Sequence, residues 1–224
     1  MMINGRMALA LMGAVIAVGV QAAPQQAGWE SLFDGKTLEH WRGFKEPGVP
    51  VSWKVEDGAI TRVAAGPDLV SRQQYDNFEF EFEWRLPPGG NSGVMYRVTE
   101  TGVRTYHTGP EYQLLDNARH ADGKDPLTST GADYALHAPH HDMSKPIGEW
   151  NQSRLIVNRA HVEHWLNGMK VVEFDLWTPE WTALVKASKF NQWPGWGLNR
   201  TGHLVLQEHD ARVQYRNLRV RRIP

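Results

Sequence analysis

The polar and apolar positions of this chain alternate far more often than they recur every three or four. Residues 78–86, "FEFEFEWRL", put Phe78, Phe80, Phe82, Trp84 and Leu86 on one side and Glu79, Glu81, Glu83 and Arg85 on the other. That is the period-two pattern of a half-buried strand, with the glutamates on a solvated face. Pro87-Pro88-Gly89-Gly90 ends the run and residues 93–98 start the next, which predicts a hairpin between the two. Residues 161–166 run into Asn167-Gly168, the pair preferred in a tight type I′ turn, and the chain returns from Met169. Residues 153–158 add a strand before them, turning at Asn158-Arg159-Ala160, so this region predicts a three-strand meander. "GHLVLQEHD" and "RVQYRNLRVRR" predict two more strands around Asp210-Ala211. Val213 and Tyr215 are out of phase with Leu218 and Val220, and a bulge at Arg216-Asn217 reconciles them. Shorter strands are expected at 51–55 and 59–62, joined by Asp57-Gly58. A single helix stands out: Thr178 caps it, Pro179 fits its first position, and Trp181, Leu184 and Val185 form one stripe. Many short strands separated by turns predict an all-β sandwich.

Composition narrows the setting. Of the 224 residues, 1–22 read as a secretory signal. Arg6 precedes an uncharged, mostly apolar run over 7–20, and Val20-Gln21-Ala22 supplies small residues at cleavage spacing. The run is shorter than the roughly 20 residues a span needs, so no stable membrane insertion of the mature chain is expected. Residues 23–27 read as a short linker and 28–224 as a single domain, in the periplasm or secreted. The chain has no cysteine. This excludes thiolate catalysis, Cys-ligated zinc and a lipid-modified cysteine, and leaves the core to hold the fold without disulfides. A net charge of −1 with no basic block gives no reason to expect a nucleic-acid partner. Ten tryptophans suit both core packing and stacking on sugar rings; Trp41, Trp193 and Trp196 stand in predicted loops.

Two short stretches carry the candidate chemistry. In "GPEYQLLDN", residues 109–117, Glu111 and Gln113 share one face of a strand. Asp116 has the opposite parity and reaches that face only if the strand bulges or ends at Leu114-Leu115. In "HLVLQEHD", Gln207 and His209 share a parity and are expected to look into one cavity; an imidazole there titrates near neutrality. "HAPHHD", residues 137–142, holds metal-ligand side chains but wraps around Pro139 without a metalloenzyme spacing. "GGNSGV" lacks the G-x-S-x-G pattern of a serine hydrolase.

Six motifs then occur in one order: "GWESLFDGKTLEHWRG", "NSGVMYRV", "GPEYQLLDN", "GEWNQSRLIV", "HVEHWLNG" and "GHLVLQEHDARVQYRNLRVR". Together they resemble the 3-keto-disaccharide hydrolase-like family over residues 28–223. That resemblance implies a concanavalin A-like jelly roll of two curved antiparallel sheets. One departure is visible: where the family usually has Asp-His-Gly, this chain has Glu208-His209-Asp210.

The resemblance also implies a substrate, a sugar already oxidised to a ketone at C3. The ketone acidifies the C2 proton, a base removes it, and the C1 substituent leaves with a proton. Water then adds to the enone, for net hydrolysis. Such a reaction needs a base, an electrophile for the enolate oxygen and an acid. Glu111 is the preferred base or metal ligand, Gln113 the group that orients sugar or enolate, and His209 an acid or base, with Asp116 a further catalytic candidate. Asn91 and Arg97 are candidates for sugar hydroxyls, with Gln207 beside His209 and Trp193 as a stacking face. Tyr134 is an acid or a stacking platform, and Lys189 polarises the ketone. No cofactor is obvious; a divalent metal shared by Glu111 and His209 stays open. Two other readings also stay open. A retaining glycosidase would pair Glu111 with Asp116 at about 5 Å. A lectin-like module would bind sugar through its tryptophans without chemistry.

Overall fold

In the computed structural model, the described residues are Met1 and 28–224. The signal and linker readings, 1–22 and 23–27, lie outside the described residues. The chain forms β1 (Glu30–Ser31), β2 (Trp41–Gly43), β3 (Trp53–Glu56), β4 (Ala59–Arg62), β5 (Leu69–Tyr75), β6 (Phe78–Arg85) and β7 (Asn91–Val98). It continues with β8 (Glu111–Leu115), β9 (Asn151–Asn158), β10 (His161–Leu166), β11 (Met169–Asp175), the helix α1 (Pro179–Ala187), β12 (Gly202–Leu206) and β13 (Gln214–Arg222). These strands make two antiparallel sheets packed face to face, a jelly-roll sandwich. One runs β11-β10-β9-β6-β13-β4-β3, with β1 also on β13; the other runs β2-β5-β12-β7-β8.

The alternating pattern of β6 is realised as read. Phe78, Phe80, Phe82 and Trp84 are buried in the core between the sheets. Each such side chain contributes roughly 1.5–3 kcal/mol by leaving water. Tyr96, Tyr112 and Leu114 meet them from the smaller sheet, as do Leu204 and Leu206. The outward carboxylates are matched by arginines. Glu79 pairs with Arg154 and Arg221, Glu81 with Arg219 at 2.6 Å, and Glu83 with Arg216 at 2.7 Å. The meander β9-β10-β11 forms, and its turn places Asn167 at φ +49° and Gly168 at φ +88°, both in the left-handed region the I′ turn demands. The bulge in β13 forms too: the register on β6 slips between Arg216 and Arg219, with Asn217 at φ +55°. Helix α1 starts at Pro179 under a Thr178 cap, but of the predicted stripe only Trp181 is buried, and Leu184 is largely exposed.

One pairing differs from the expectation. β6 and β7 are not a hairpin, because β6 belongs to the larger sheet and β7 to the smaller. The Pro-Pro-Gly-Gly segment is a corner between sheets. The Asp116 carboxylate accepts the Gly89 N–H at 2.8 Å, and the Asp116 N–H donates to the Gly90 carbonyl at 2.9 Å. Two prolines without N–H donors disfavour a ladder there, so the strand that follows is free to change layer.

Three strands of the smaller sheet are buried on both faces: every residue of β7, β8 and β12 is buried. Its outer face carries Val70, Met95, Val98 and Val205 as a small second cluster. The β7–β8 connection and the segment after α1 reach over this face. Trp196 donates to the Tyr106 carbonyl at 3.0 Å, and Gly197 N–H donates to the Thr108 carbonyl at 3.1 Å. A floor of sheet and a roof of loops leave a cavity between them.

Candidate active site

β8 supplies the floor. Residues paired directly across an antiparallel ladder share a face. Met95 pairs with Glu111, Gly93 with Gln113 and Asn91 with Leu115. Glu111, Gln113 and Asn91 therefore rise from one face, while Tyr112 and Leu114 fill the core beneath. Gly93 makes room for this: a Cβ there would overlap the Glu111 carboxylate. From β12, on the other side of β7, the chain carries on through Gln207 to His209. The resulting cavity is about 390 Å³, within the roughly 300–1,000 Å³ of small-molecule sites. Asn91, Glu111, Gln113, Gln207 and His209 line it from the sheet side. Tyr134, Lys189 and Trp193 line it from the loops. Eight of the ten candidate residues thus meet in one place.

The two others do not. Asp116 caps the corner turn, accepting N–H groups from Gly89 and Ala118 and pairing with Arg119 at 3.2 Å. These donors hold its carboxyl below the usual range against the opposing effect of burial. It borders a different cleft, with Asn117 and Asp142. Arg97 is buried at the far end of β7, where its guanidinium donates to the carbonyls of Asp76 and Arg159 at 2.9 and 2.8 Å and lies over the Trp177 ring. Asp116 stays off the Glu111 face, as its opposite parity implies, although β8 ends at Leu115, and Arg97 leaves the regular pleat at φ +52°. Of the loop tryptophans, Trp41 and Trp196 are core residues. Only Trp193 faces the cavity, stacked on His107 at 4.5 Å.

Electrostatics single out Glu111. It is buried, and burial pushes its carboxyl up to about 8, against the pull of Lys189 and a hydrogen bond from Gln207. Among the described residues no arginine pairs with it. Lys189 reaches over the Tyr134 ring at 4.2 Å, and desolvation there lowers its own pKa. Tyr134 is raised to about 12, first by burial and then by nearby carboxylates, so it is a phenol throughout the physiological range. Gln113 donates its amide N–H to the Thr128 carbonyl at 3.2 Å, while its Oε1 is buried with no partner, as is Oε1 of Gln207. Two orphaned amide oxygens beside a buried carboxyl are acceptors waiting for hydroxyl donors.

Three further lining residues, Tyr106, Asp122 and Phe190, carry no signal in the sequence pattern. They sit in short 3-10 turns, Thr105–His107, Ala121–Lys124 and Lys189–Gln192, whose placement depends on the loops they close. At the Glu208-His209-Asp210 departure, Asp210 takes φ +55°, the left-handed conformation that a glycine adopts without strain. The turn survives the substitution and His209 still borders the cavity.

Metal-ligand chemistry gathers elsewhere. His161, Glu163 and Glu173, on the β10–β11 hairpin, form a cluster capable of coordinating a divalent metal, their ligand atoms within 4.8 Å of one another. Lys170 already contacts Glu173 at 2.6 Å and Glu163 at 3.5 Å. None of these residues borders the cavity.

The fold and site define a class: a two-sheet jelly roll whose smaller sheet presents a buried acid and amides to a sugar-sized cavity. Residues 28–221 match the family model of the 3-keto-alpha-glucoside-1,2-lyase-like domain, and the chain belongs to this family of carbohydrate-active hydrolases and lyases acting on 3-keto-glycosides. It is similar to the 3-keto-disaccharide hydrolase of Bacteroides thetaiotaomicron, with 36% identity covering 87% of this chain and 78% of that one. It is also similar to a solved glycosyl hydrolase candidate from Parabacteroides distasonis, at 32% identity and a TM-score of 0.82, covering 88% of this chain and 94% of that one. A second such structure from the same organism has 27% identity and a TM-score of 0.68, covering 87% and 99%. A carbohydrate-binding module of Bacillus subtilis shares the fold alone, at 11% identity and a TM-score of 0.51, covering 87% and 95%. Among the described residues no helix is long and apolar enough to cross a membrane.

Proposed function

We propose that this chain cleaves 3-keto-glycosides by elimination, with Glu111 as the base. The observation that carries this reading is the Glu111 carboxyl: buried, without an arginine partner, raised to about 8 and open to the cavity. A carboxylate whose conjugate acid is that weak is a better base toward a carbon acid than an ordinary one. Glu111 takes the C2 proton, and the C2–H electron pair moves to make the enolate, with negative charge on the C3 oxygen. Lys189, with Tyr134, is the cationic and hydrogen-bonding partner for that oxygen. As the C3 carbonyl reforms, a C1=C2 double bond forms and the C1–O bond breaks toward the leaving oxygen. His209 gives that oxygen a proton. Water adding across C1=C2 completes net hydrolysis. Gln113, Gln207 and Asn91 accept and donate hydrogen bonds to the sugar hydroxyls, and Trp193 covers a ring face. Against the retaining-glycosidase alternative with a Glu111–Asp116 pair, Asp116 is engaged at the corner turn, which leaves Asp122 as the other carboxylate lining the cavity. The signal-like start supports export of the mature chain.

The test is incubation of the protein with a 3-keto glucoside and with its unoxidised parent, followed by NMR in heavy water. Aglycone release from the keto sugar alone, with deuterium entering at C2 and a loss of about 10²–10⁴-fold in Glu111→Gln, is expected. Turnover of the unoxidised parent, or full activity in Glu111→Gln, would overturn the reading.

A further inference from the structure

His209 stands where cavities meet. Beside the sugar cavity lies a second one of about 360 Å³ that shares Tyr106, Gln207 and His209 with it. Its far side is built from Phe44, Lys45, Val103 and Arg104. Val103 is 75% exposed and Tyr106 39%, so two apolar side chains line an open mouth next to the half-buried Phe44 ring. Two cations flank that apolar wall. Lys45 lies against the Phe44 ring at 5.6 Å, and among the described residues neither Lys45 nor Arg104 forms an ion pair with a carboxylate, although the Arg104 charge is felt at Asp68. The acids nearby are already engaged. Glu208 pairs with Arg62, Glu100 with Arg42 at 2.6 Å, and Asp68 accepts from Thr105 and from the Glu208 N–H at 2.7 Å. Asp68 thereby ties both walls of the second cavity together, so the cavity is a built feature and not a loose gap between loops.

We infer that this second cavity is the leaving-group subsite, and that it selects planar aromatic aglycones bearing a negative charge. The inference rests on the elimination reading, because it needs the C1 substituent to point past His209. With the sugar ring over Glu111 and Gln113, an aglycone leaving past His209 enters the space between Phe44 and Tyr106. An aryl ring stacks on those faces, and an acidic substituent on it meets Lys45 and Arg104 at the mouth.

The experiment separates this inference from the reaction it rests on. Dissociation constants of phenyl and 4-carboxyphenyl 3-keto-glucosides would be measured in the Glu111→Gln background, so that binding is read without turnover. The carboxylated ligand should bind about fivefold more tightly, as two solvent-facing charge contacts allow, and the preference should shrink with salt. Adding Lys45→Ala and Arg104→Ala should erase the preference and leave the phenyl ligand unchanged. Phe44→Ala should weaken both ligands. Equal binding of the two ligands, a preference that survives the double substitution, or one that instead follows Arg212→Ala, in a further cavity that His209 also borders, would overturn the inference. Absence of turnover in the unsubstituted enzyme, with the charge preference intact, would sink the elimination mechanism and spare the subsite.

Discussion

Two strands of this protein present glutamates away from the same core, and they have opposite fates. On β6, Glu79, Glu81 and Glu83 leave the larger sheet, and each meets arginines from β9 or β13. On β8, Glu111 leaves the smaller sheet and, among the described residues, meets no arginine; burial, Asp68 and Asp133 push its pKa up, and a lysine across the cavity and a glutamine amide draw it down. Burial alone does not separate them, since Glu79 is as inaccessible as Glu111. Compensation does. A charge with a guanidinium on each side is part of the scaffold, whereas a carboxyl kept dry without one holds its proton and is poised to exchange it.

The sharpest way to break this comparison is to remove each carboxylate. Glu111→Gln should lower kcat by about 10²–10⁴-fold while leaving the melting temperature unchanged or higher, because a buried carboxyl without an arginine is lost. Next in size, Gly93→Ala should cost about 10²-fold in kcat, since its Cβ overlaps the Glu111 carboxylate and must displace the base. Steady-state kinetics and thermal unfolding check both.

The pH dependence sharpens the contrast. The base is active when ionised, so kcat/KM should rise with pH, with an inflection near 8. Stability should move the other way. The folded chain holds the Glu111 proton more tightly than the unfolded one, so the stabilisation is complete below the ordinary value of 4.5 and is lost as pH rises to about 8. Lys189→Met removes the charge that pulls Glu111 down, and should shift the kinetic inflection upward. Urea unfolding across this window should show a declining slope that Glu111→Gln lacks. Smallest of all, Glu81→Gln should change stability by less than about 1 kcal/mol, because its pair with Arg219 is partly solvated, and should leave kcat untouched.

How much of this was legible depends on how local each feature is. The β6 alternation, the Asn167-Gly168 turn, the β13 bulge and the Thr178 cap rest on neighbours a few residues apart, and all four appear in the structure. The β6–β7 hairpin was misread because turn residues announce that a strand ends without saying in which sheet the next one begins. Glu111 with Gln113, and Gln207 with His209, were grouped correctly because side chains two apart on extended chain share a face. Arg97 departs from its strand's alternation because it sits in left-handed backbone, and Asp116, which follows the last ladder pair, stays on the side its opposite parity gave it even though the strand ends there.

The sequence by itself determined the strands, most turns, the all-β class and the two segments from which the site is built, because periodicity and turn chemistry act over a few bonds. Only the tertiary structure decided that β8 and β12 lie in one sheet with β7 between them. It alone set Tyr106, Asp122 and Phe190 opposite them from distant loops, and gave the β6 glutamates arginine partners while leaving Glu111 without one. The physical reason is that a carboxyl's proton affinity depends on the charges and the water around it in space, and long-range packing arranges both.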